Sequence, residues 1–163
     1  MAQPSFETVT IDSLVGRLAI TACDDQIVGC DWATYSAATK PTAPVLQQAV
    51  AQLTEYFNGE RTTFTLPLAP TGTPFQQTVW QTLQTIPYGI TWSYQQLAQA
   101  IGNSNASRAV GSANGKNPIS IIIPCHRVIR ASGNLGGYAG GLDKKTRLLT
   151  LEGCTSFSNN DDG

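Results

Sequence analysis

Cys125 stands next to His126, the only histidine in the chain, within Ile121-Ile122-Ile123-Pro124-Cys125-His126-Arg127-Val128. A thiol is a poor nucleophile until it becomes a thiolate, and a hydrogen-bonded imidazole is the usual base that makes one. Three β-branched residues spell a short buried segment, and Pro124 then removes a backbone donor and fixes φ. Adjacent residues on a strand point to opposite faces, so a turn after Pro124 or a bridging water is needed to join sulfur and imidazole. Without one, Cys125 reads as a small buried hydrophobe.

A carboxylate that holds the imidazole in one tautomer would complete a nucleophile–base–acid set. Asp143 and Glu152 bracket the last apolar segment. Asp143 reads as a favourable charge at a helix start, which leaves Glu152 as the candidate third member. Asn117-Pro118 lies just upstream of the thiol. Gly136-Gly137-Tyr138-Ala139-Gly140-Gly141 follows downstream.

These residues need a scaffold, and 163 residues suffice for one ordinary domain or two small ones. No apolar run approaches the ~20 residues of a membrane span, and Met1-Ala2-Gln3-Pro4 has no signal-peptide character, so a cytoplasmic protein is expected. Disulfides are not expected among Cys23, Cys30, Cys125 and Cys154, and with one histidine the metal reading is also set aside. The net charge of −1 hides an asymmetry. Residues 1–71 carry three basic side chains against seven acidic, whereas residues 72–153 carry seven against two. The basic half also holds the motifs, as expected of a half that meets phosphates.

Alternation predicts strands over 6–11, 17–22 and 27–32, separated by Asp12-Ser13 and Asp24-Asp25. Pro41 to Pro44 opens a helix with Val45, Leu46, Ala49, Val50, Leu53, Tyr56 and Phe57 on one face, and Asn58-Gly59 stops it. Residues 58–73 lack periodicity and read as a linker, with an edge strand over 64–68. The expected domains are therefore an N-terminal α/β domain over 1–71 (a small antiparallel sheet plus a helix, ending in that linker), a mainly α, winged-helix-like domain over 72–153, and a flexible tail over 154–163. Thr73-Pro74 opens a helix whose Phe75, Val79, Trp80, Leu83 and Ile86 read as core. Ser93 and Gln96 form a capping box. The helix after it stops at Gly102-Asn103, and a second begins near Asn105 or Ala106, a helix-turn-helix pattern. That second helix carries small residues and one long cation, Arg108. Composition alone leaves two readings open: close approach to a narrow groove with Arg108 as a wedge, or tight packing on a neighbouring helix.

Together, Asn117-Pro118, Ile-Pro-Cys-His-Arg-Val, the glycine-rich loop with Tyr138, and Leu148-Leu149-Thr150-Leu151-Glu152-Gly153 closely resemble the O6-alkylguanine-DNA alkyltransferases, over roughly residues 74 to 153. The resemblance implies direct reversal of DNA damage: one irreversible transfer of an alkyl group from O6-alkylguanine, and in some members O4-alkylthymine, to Cys125 after the base is flipped from the duplex. It implies a catalytic set of Cys125, His126, Glu152, Asn117 and Tyr94. Asn117 orders the active-site turn, and Tyr94 contacts the rotated nucleotide and donates to the departing guanine. Arg108 matches the finger that fills the gap in the duplex. The DNA-facing set is Arg108 and Tyr94 with Gln95, Asn103, Ala109, Ser112 and Ala113, and the base pocket is Val128, Tyr138, Ala139 and Gly140. No metal or cofactor is implied. The partner is double-stranded DNA carrying O6-alkylguanine, met in the minor groove by a monomer, with clustering on DNA left open.

Two features depart from the family. Ala139 replaces a serine that some members use on the alkylated oxygen, so that contact falls to backbone N–H or is absent. The N-terminal half shares no motif with the family and fits its variable N-terminal domain only in size and element order. Two further classes remain: a non-catalytic lesion sensor, which in such relatives lacks the cysteine, and a cysteine hydrolase using Cys125, His126 and Asn117.

Overall fold

The computed structural model describes residues 3–33 and 40–158, in two compact units, residues 1–71 and 72–163. In the first unit, β1 (Phe6–Ser13), β2 (Gly16–Cys23) and β3 (Gln26–Trp32) form an antiparallel sheet in the order β1-β2-β3, followed by α1 (Pro44–Phe57). The strands lie where alternation predicts them. Val9, Leu18, Ile20, Ile27 and Cys30 are buried, as are Val45, Leu46, Ala49, Leu53 and Tyr56 along one stripe of α1. The N-cap residue of α1, Ala43, makes no side-chain cap bond. Glu7 of β1 takes that role at a distance, accepting from Thr42 N, Thr42 Oγ1 and Ala43 N, each at 2.9 Å. A carboxylate at a helix N-terminus answers both the unpaired donors and the dipole.

The expected linker is largely tied down. Arg61 pairs with Glu55 at 3.0 Å, and Gln52 exchanges hydrogen bonds with Thr65. In place of an edge strand over 64–68 there is a single parallel bridge between Ile27 and Leu68. Its Thr, Pro and Gly content hides this from pattern reading, because the contacts run to side chains rather than along a ladder.

The second unit contains α2 (Pro74–Leu83), the two-residue β4 (Trp92–Ser93), α3 (Tyr94–Ala100), α4 (Ser107–Gly115), the short β5 (Val128–Ile129) and α5 (Leu142–Leu151). Strands β4 and β5 pair in parallel. Complete capping boxes start α2 (Thr73 with Gln76) and α3 (Ser93 with Gln96). Trp80 is core: it is 1 % exposed, and its Nε1 donates to Ala113 O at 2.8 Å. Phe75 is not, being 37 % exposed, since it occupies the first turn of α2 ahead of the buried stripe Val79, Trp80 and Leu83.

The tail is also shorter than expected. Cys154 is buried in a cluster with Ile129, Leu135 and Leu149, and Phe157 packs against it. Ser158 bonds to Gly133 and Leu135 through its backbone. Residues 159–163 lie outside the described residues. Among the described residues no helix is long and apolar enough to cross a membrane.

Candidate active site

The turn that brings sulfur and imidazole off opposite faces is present. Pro124 (φ −82°, ψ 63°) sits in an inverse γ-turn closed by Cys125 N donating to Ile123 O at 2.8 Å. Cys125–Arg127 then form one turn of 3-10 helix. Asn117 organises the approach: its Nδ2 donates to Ile123 O at 2.8 Å and its Oδ1 accepts from Ile119 N at 2.9 Å. Within the loop so bracketed, Ile121 adopts φ 75°, a left-handed conformation that a β-branched residue rarely takes. The surrounding hydrogen bonds hold that strain beside the thiol.

Cys125 is 5 % exposed and His126 is fully buried. His126 Nε2 lies 2.8 Å from Glu152 Oε2. Glu152 is the C-cap residue of α5, so helix geometry aims a buried carboxylate back at the 3-10 turn. It also receives Arg127, with Nε on Oε1 at 2.8 Å and Nη2 on Oε2 at 2.9 Å, and Gly89 N on Oε1 at 3.2 Å. Arg127 Nη1 donates to Ile86 O at 2.8 Å, and the guanidinium carbon lies 5.8 Å from the Tyr88 ring centroid.

Burial pushes the His126 imidazole below its ordinary value, outweighing the hydrogen bond and charge of Glu152. Burial also works to raise the Glu152 carboxyl, but hydrogen bonds from His126 and Arg127, with the guanidinium charge, hold it well below the usual carboxylate range. The consistent state is neutral histidine beside an ionised carboxylate. Nε2–H then donates to Glu152, and Nδ1, buried and without a partner among the described residues, carries the lone pair. Burial raises the Cys125 thiol, opposed by an Asn117 hydrogen bond, the Lys145 charge and a backbone bond. A protonated thiol and a neutral base are thus set side by side in sequence, with the carboxylate behind the base.

Lys145 is fully buried and donates to the carbonyls of Val128 (2.7 Å), Gly137 (3.2 Å) and Leu135. It ties the strand after the thiol to the glycine-rich loop. That loop walls two adjoining cavities. The outer one, about 340 Å³, is lined by Tyr94, Gly111, Asn114, Gly115, Arg130, Gly136, Gly137, Tyr138 and Ala139. The inner one, about 10 Å³, reaches Cys125, Asn117 and Ser120. A larger cavity of about 490 Å³ in the first unit is lined by Ile11, Asp12, Ser13, Leu14, Thr54, Phe57 and Asn58, with neither a cysteine nor a histidine in its wall.

Tyr138 and Ala139 line both site cavities, whereas Val128 and Gly140 line neither. Val128 is buried in β5. On α4, Arg108, Ala109 and Ser112 are exposed on one face. Ala113, grouped with them by sequence, is buried with Val110 and Asn114 on the opposite face, where its carbonyl receives Trp80. Gln95 and Asn103 are exposed at the two ends of the α3 turn region. Sequence reasoning passed over Arg127, Lys145 and Asn114.

Gly136 has φ +73°, and a Cβ there would lie 2.8 Å from Tyr94 Oη. Gly136→Ala is therefore expected to lose about 1–2 kcal/mol from the left-handed backbone alone and to displace Tyr94 from the outer cavity. A denaturant melt and a transfer assay check this; unchanged values for both would contradict it.

The protonation states set a pH dependence. Both His126 and Glu152 have lowered pKa values in the fold, so the unfolded chain binds more protons on acidification and stability falls as pH drops. Loss through His126 is expected below about 6.5 and through Glu152 below about 4.3, the unfolded values. Melting temperature measured from pH 8 to 2 should show both limbs, and a flat profile would contradict the assignment.

The family description "6-O-methylguanine DNA methyltransferase, DNA binding domain" matches residues 74–154, and "6-O-methylguanine DNA methyltransferase, ribonuclease-like domain" matches residues 8–70. A methylated-DNA–protein-cysteine methyltransferase of Mycolicibacterium paratuberculosis is 47 % identical over 152 residues, covering 90 % of this chain and 92 % of that protein. The constitutive enzyme of Bacillus subtilis is 44 % identical over 153 residues, covering 88 % and 93 %. The crystal structure of Mycobacterium tuberculosis O6-methylguanine methyltransferase superposes with a TM-score of 0.83 at 45 % identity, covering 91 % of this chain and 93 % of that one. The same bacterium's protein in complex with DNA gives 0.82 at 47 % identity, covering 89 % and 91 %. The chain belongs to the 6-O-methylguanine DNA methyltransferase family, and the match extends to the N-terminal unit, which the sequence reading related to the family only by size and element order.

Proposed function

We propose that this protein repairs DNA by direct reversal, moving the alkyl group of O6-alkylguanine onto its own Cys125. The observation that carries the reading is the buried set in which Glu152 fixes neutral His126, its Nδ1 lone pair unclaimed among the described residues, one residue along the chain from a buried protonated thiol. The thiol proton passes to Nδ1 through a water, and the thiolate attacks the saturated carbon on O6. The S–C bond forms as the C–O bond breaks, and the departing guanine takes a proton donated at Tyr94. The thioether is not regenerated, so each molecule acts once.

Double-stranded DNA is the partner, in keeping with the relative crystallised with it. The protein acts as a monomer, and copies can cluster along the duplex. The exposed small-residue face of α4 enters the minor groove, and Arg108 fills the space left by the extruded nucleotide. Arg108→Ala should slow repair of duplex by about tenfold or more, the equivalent of about 1.4 kcal/mol, while leaving reaction with free O6-alkylguanine base unchanged. Equal losses on both would remove the finger role.

Titrating the protein against duplex containing O6-methylguanine tests the whole reading. Guanine should be restored up to one equivalent and no further. Continued turnover would indicate a hydrolase, and binding without transfer a sensor.

A further inference from the structure

Gly136 and Gly137 form part of the outer cavity's wall and have no side chains with which to anchor it. Glycine loses more backbone freedom on ordering than any other residue, so such a wall keeps its shape only when it is tied from outside. Leu135, the residue just before it, is held by its side chain, its carbonyl and its amide. The side chain packs with Ile129, Leu149 and Cys154, and the carbonyl accepts from Lys145 Nζ. The amide donates to Ser158 O at 3.3 Å. Ser158 N donates in turn to Gly133 O at 2.8 Å, a parallel bridge pairs Ser158 with Asn134, and Phe157 packs on the same apolar cluster. The chain that leaves α5 at Glu152 thus returns to the turn that leads into the cavity wall. Beyond that turn Gly136 runs close against Tyr94, where an added Cβ would lie 2.8 Å from Oη and 3.4 Å from the ring.

We propose that Phe157 and Ser158 are positioning residues for alkyl transfer, a strap that holds Leu135 and Gly136 where they seat Tyr94 at the outer cavity. The proposal goes beyond the alkyl-transfer reading above and rests on it for its rate measurements. Neither residue lines either site cavity, so both act through the backbone of residues 133–136. With the strap released, the glycine-rich wall gains conformations in which Tyr94 is unseated, and a small misplacement of a positioned group is costly in rate. Lesion-bearing duplex would still be met through α4. The loss should therefore fall on the rate at saturation rather than on affinity.

Ser158→Pro removes the N–H that meets Gly133 O, whereas Ser158→Ala keeps it. Single-turnover rates are measured on saturating duplex containing O6-methylguanine, at a temperature where circular dichroism shows each variant folded. Ser158→Pro and Phe157→Ala should each react at least about tenfold more slowly while lesion affinity holds. Ser158→Ala and Phe157→Leu should stay close to the unsubstituted protein. Amide hydrogen exchange over residues 135–137 should quicken in the two slow variants alone. Gly136→Ala combined with Ser158→Pro should lose no more than the larger single loss, because both unseat Tyr94. Unchanged rates in folded Ser158→Pro and Phe157→Ala would overturn the proposal, as would losses that multiply in the double variant. A fall in Ser158→Ala as deep as in Ser158→Pro would overturn it too. Absence of transfer by the unsubstituted protein would instead refute the alkyl-transfer reading. Hydrogen exchange then still decides the strap, and equal exchange over 135–137 in all variants would overturn it.

Discussion

Arg127→Met is expected to destabilise the fold by about 3–5 kcal/mol, because it strips a fully buried carboxylate of its bidentate cation. In a chain of this length that corresponds to a fall in melting temperature of roughly 10 °C or more. The side chain of Glu152 has no exposed surface, and the partners left to it would include a neutral imidazole and the Gly89 N–H but no bidentate cation. The carbonyl of Ile86 would lose its donor as well. Removing the guanidinium also removes a charge that lowers the His126 pKa, so imidazole protonation should move to higher pH and carry the acid limb of activity with it. Arg127→Lys should recover little, since an ammonium cannot fork across both oxygens. Thermal melts and a pH–rate profile check both parts. A loss under about 1 kcal/mol, the range of an exposed ion pair, would contradict the account.

Arg127 also shows what sequence reading could not reach. Its partner is 25 residues away and was assigned to His126 alone, and nothing in Arg127-Val128-Ile129-Arg130 distinguishes the buried arginine from the one at the cavity rim. Lys145 is similar, because its acceptors are backbone carbonyls that leave no mark in sequence. Features governed by local chemistry were legible: the three strands, the Thr73 N-cap, the Ser93 capping box, and the start of α4. Phe75 fits the apolar spacing of α2 yet is exposed, since periodicity gives a face and not the depth of its first turn. The tail shows the converse. Its polar composition concealed that Cys154 and Phe157 complete a small apolar cluster.

Cys125→Ser is expected to lower alkyl transfer by at least about four orders of magnitude, the scale set by removing a nucleophile from a concerted group. The serine hydroxyl is smaller than the thiol and keeps the same side-chain connectivity, so the fold and binding to lesion-bearing duplex should persist. The hydroxyl is far less acidic than a thiol, and His126, with its basicity lowered by burial, cannot compensate. The supports around Cys125, the Asn117 hydrogen bond and the Lys145 charge, favour a thiolate specifically. Transfer by this variant at a rate near that of the unsubstituted protein would remove Cys125 from its role.

The most direct measurement is the mass of peptides from the protein after incubation with duplex DNA containing O6-methylguanine. The expected result is one methyl group on the peptide bearing Cys125, in amounts equal to the guanine restored. A methyl group on Cys23, Cys30 or Cys154, or restored guanine with no modified peptide, would contradict the account.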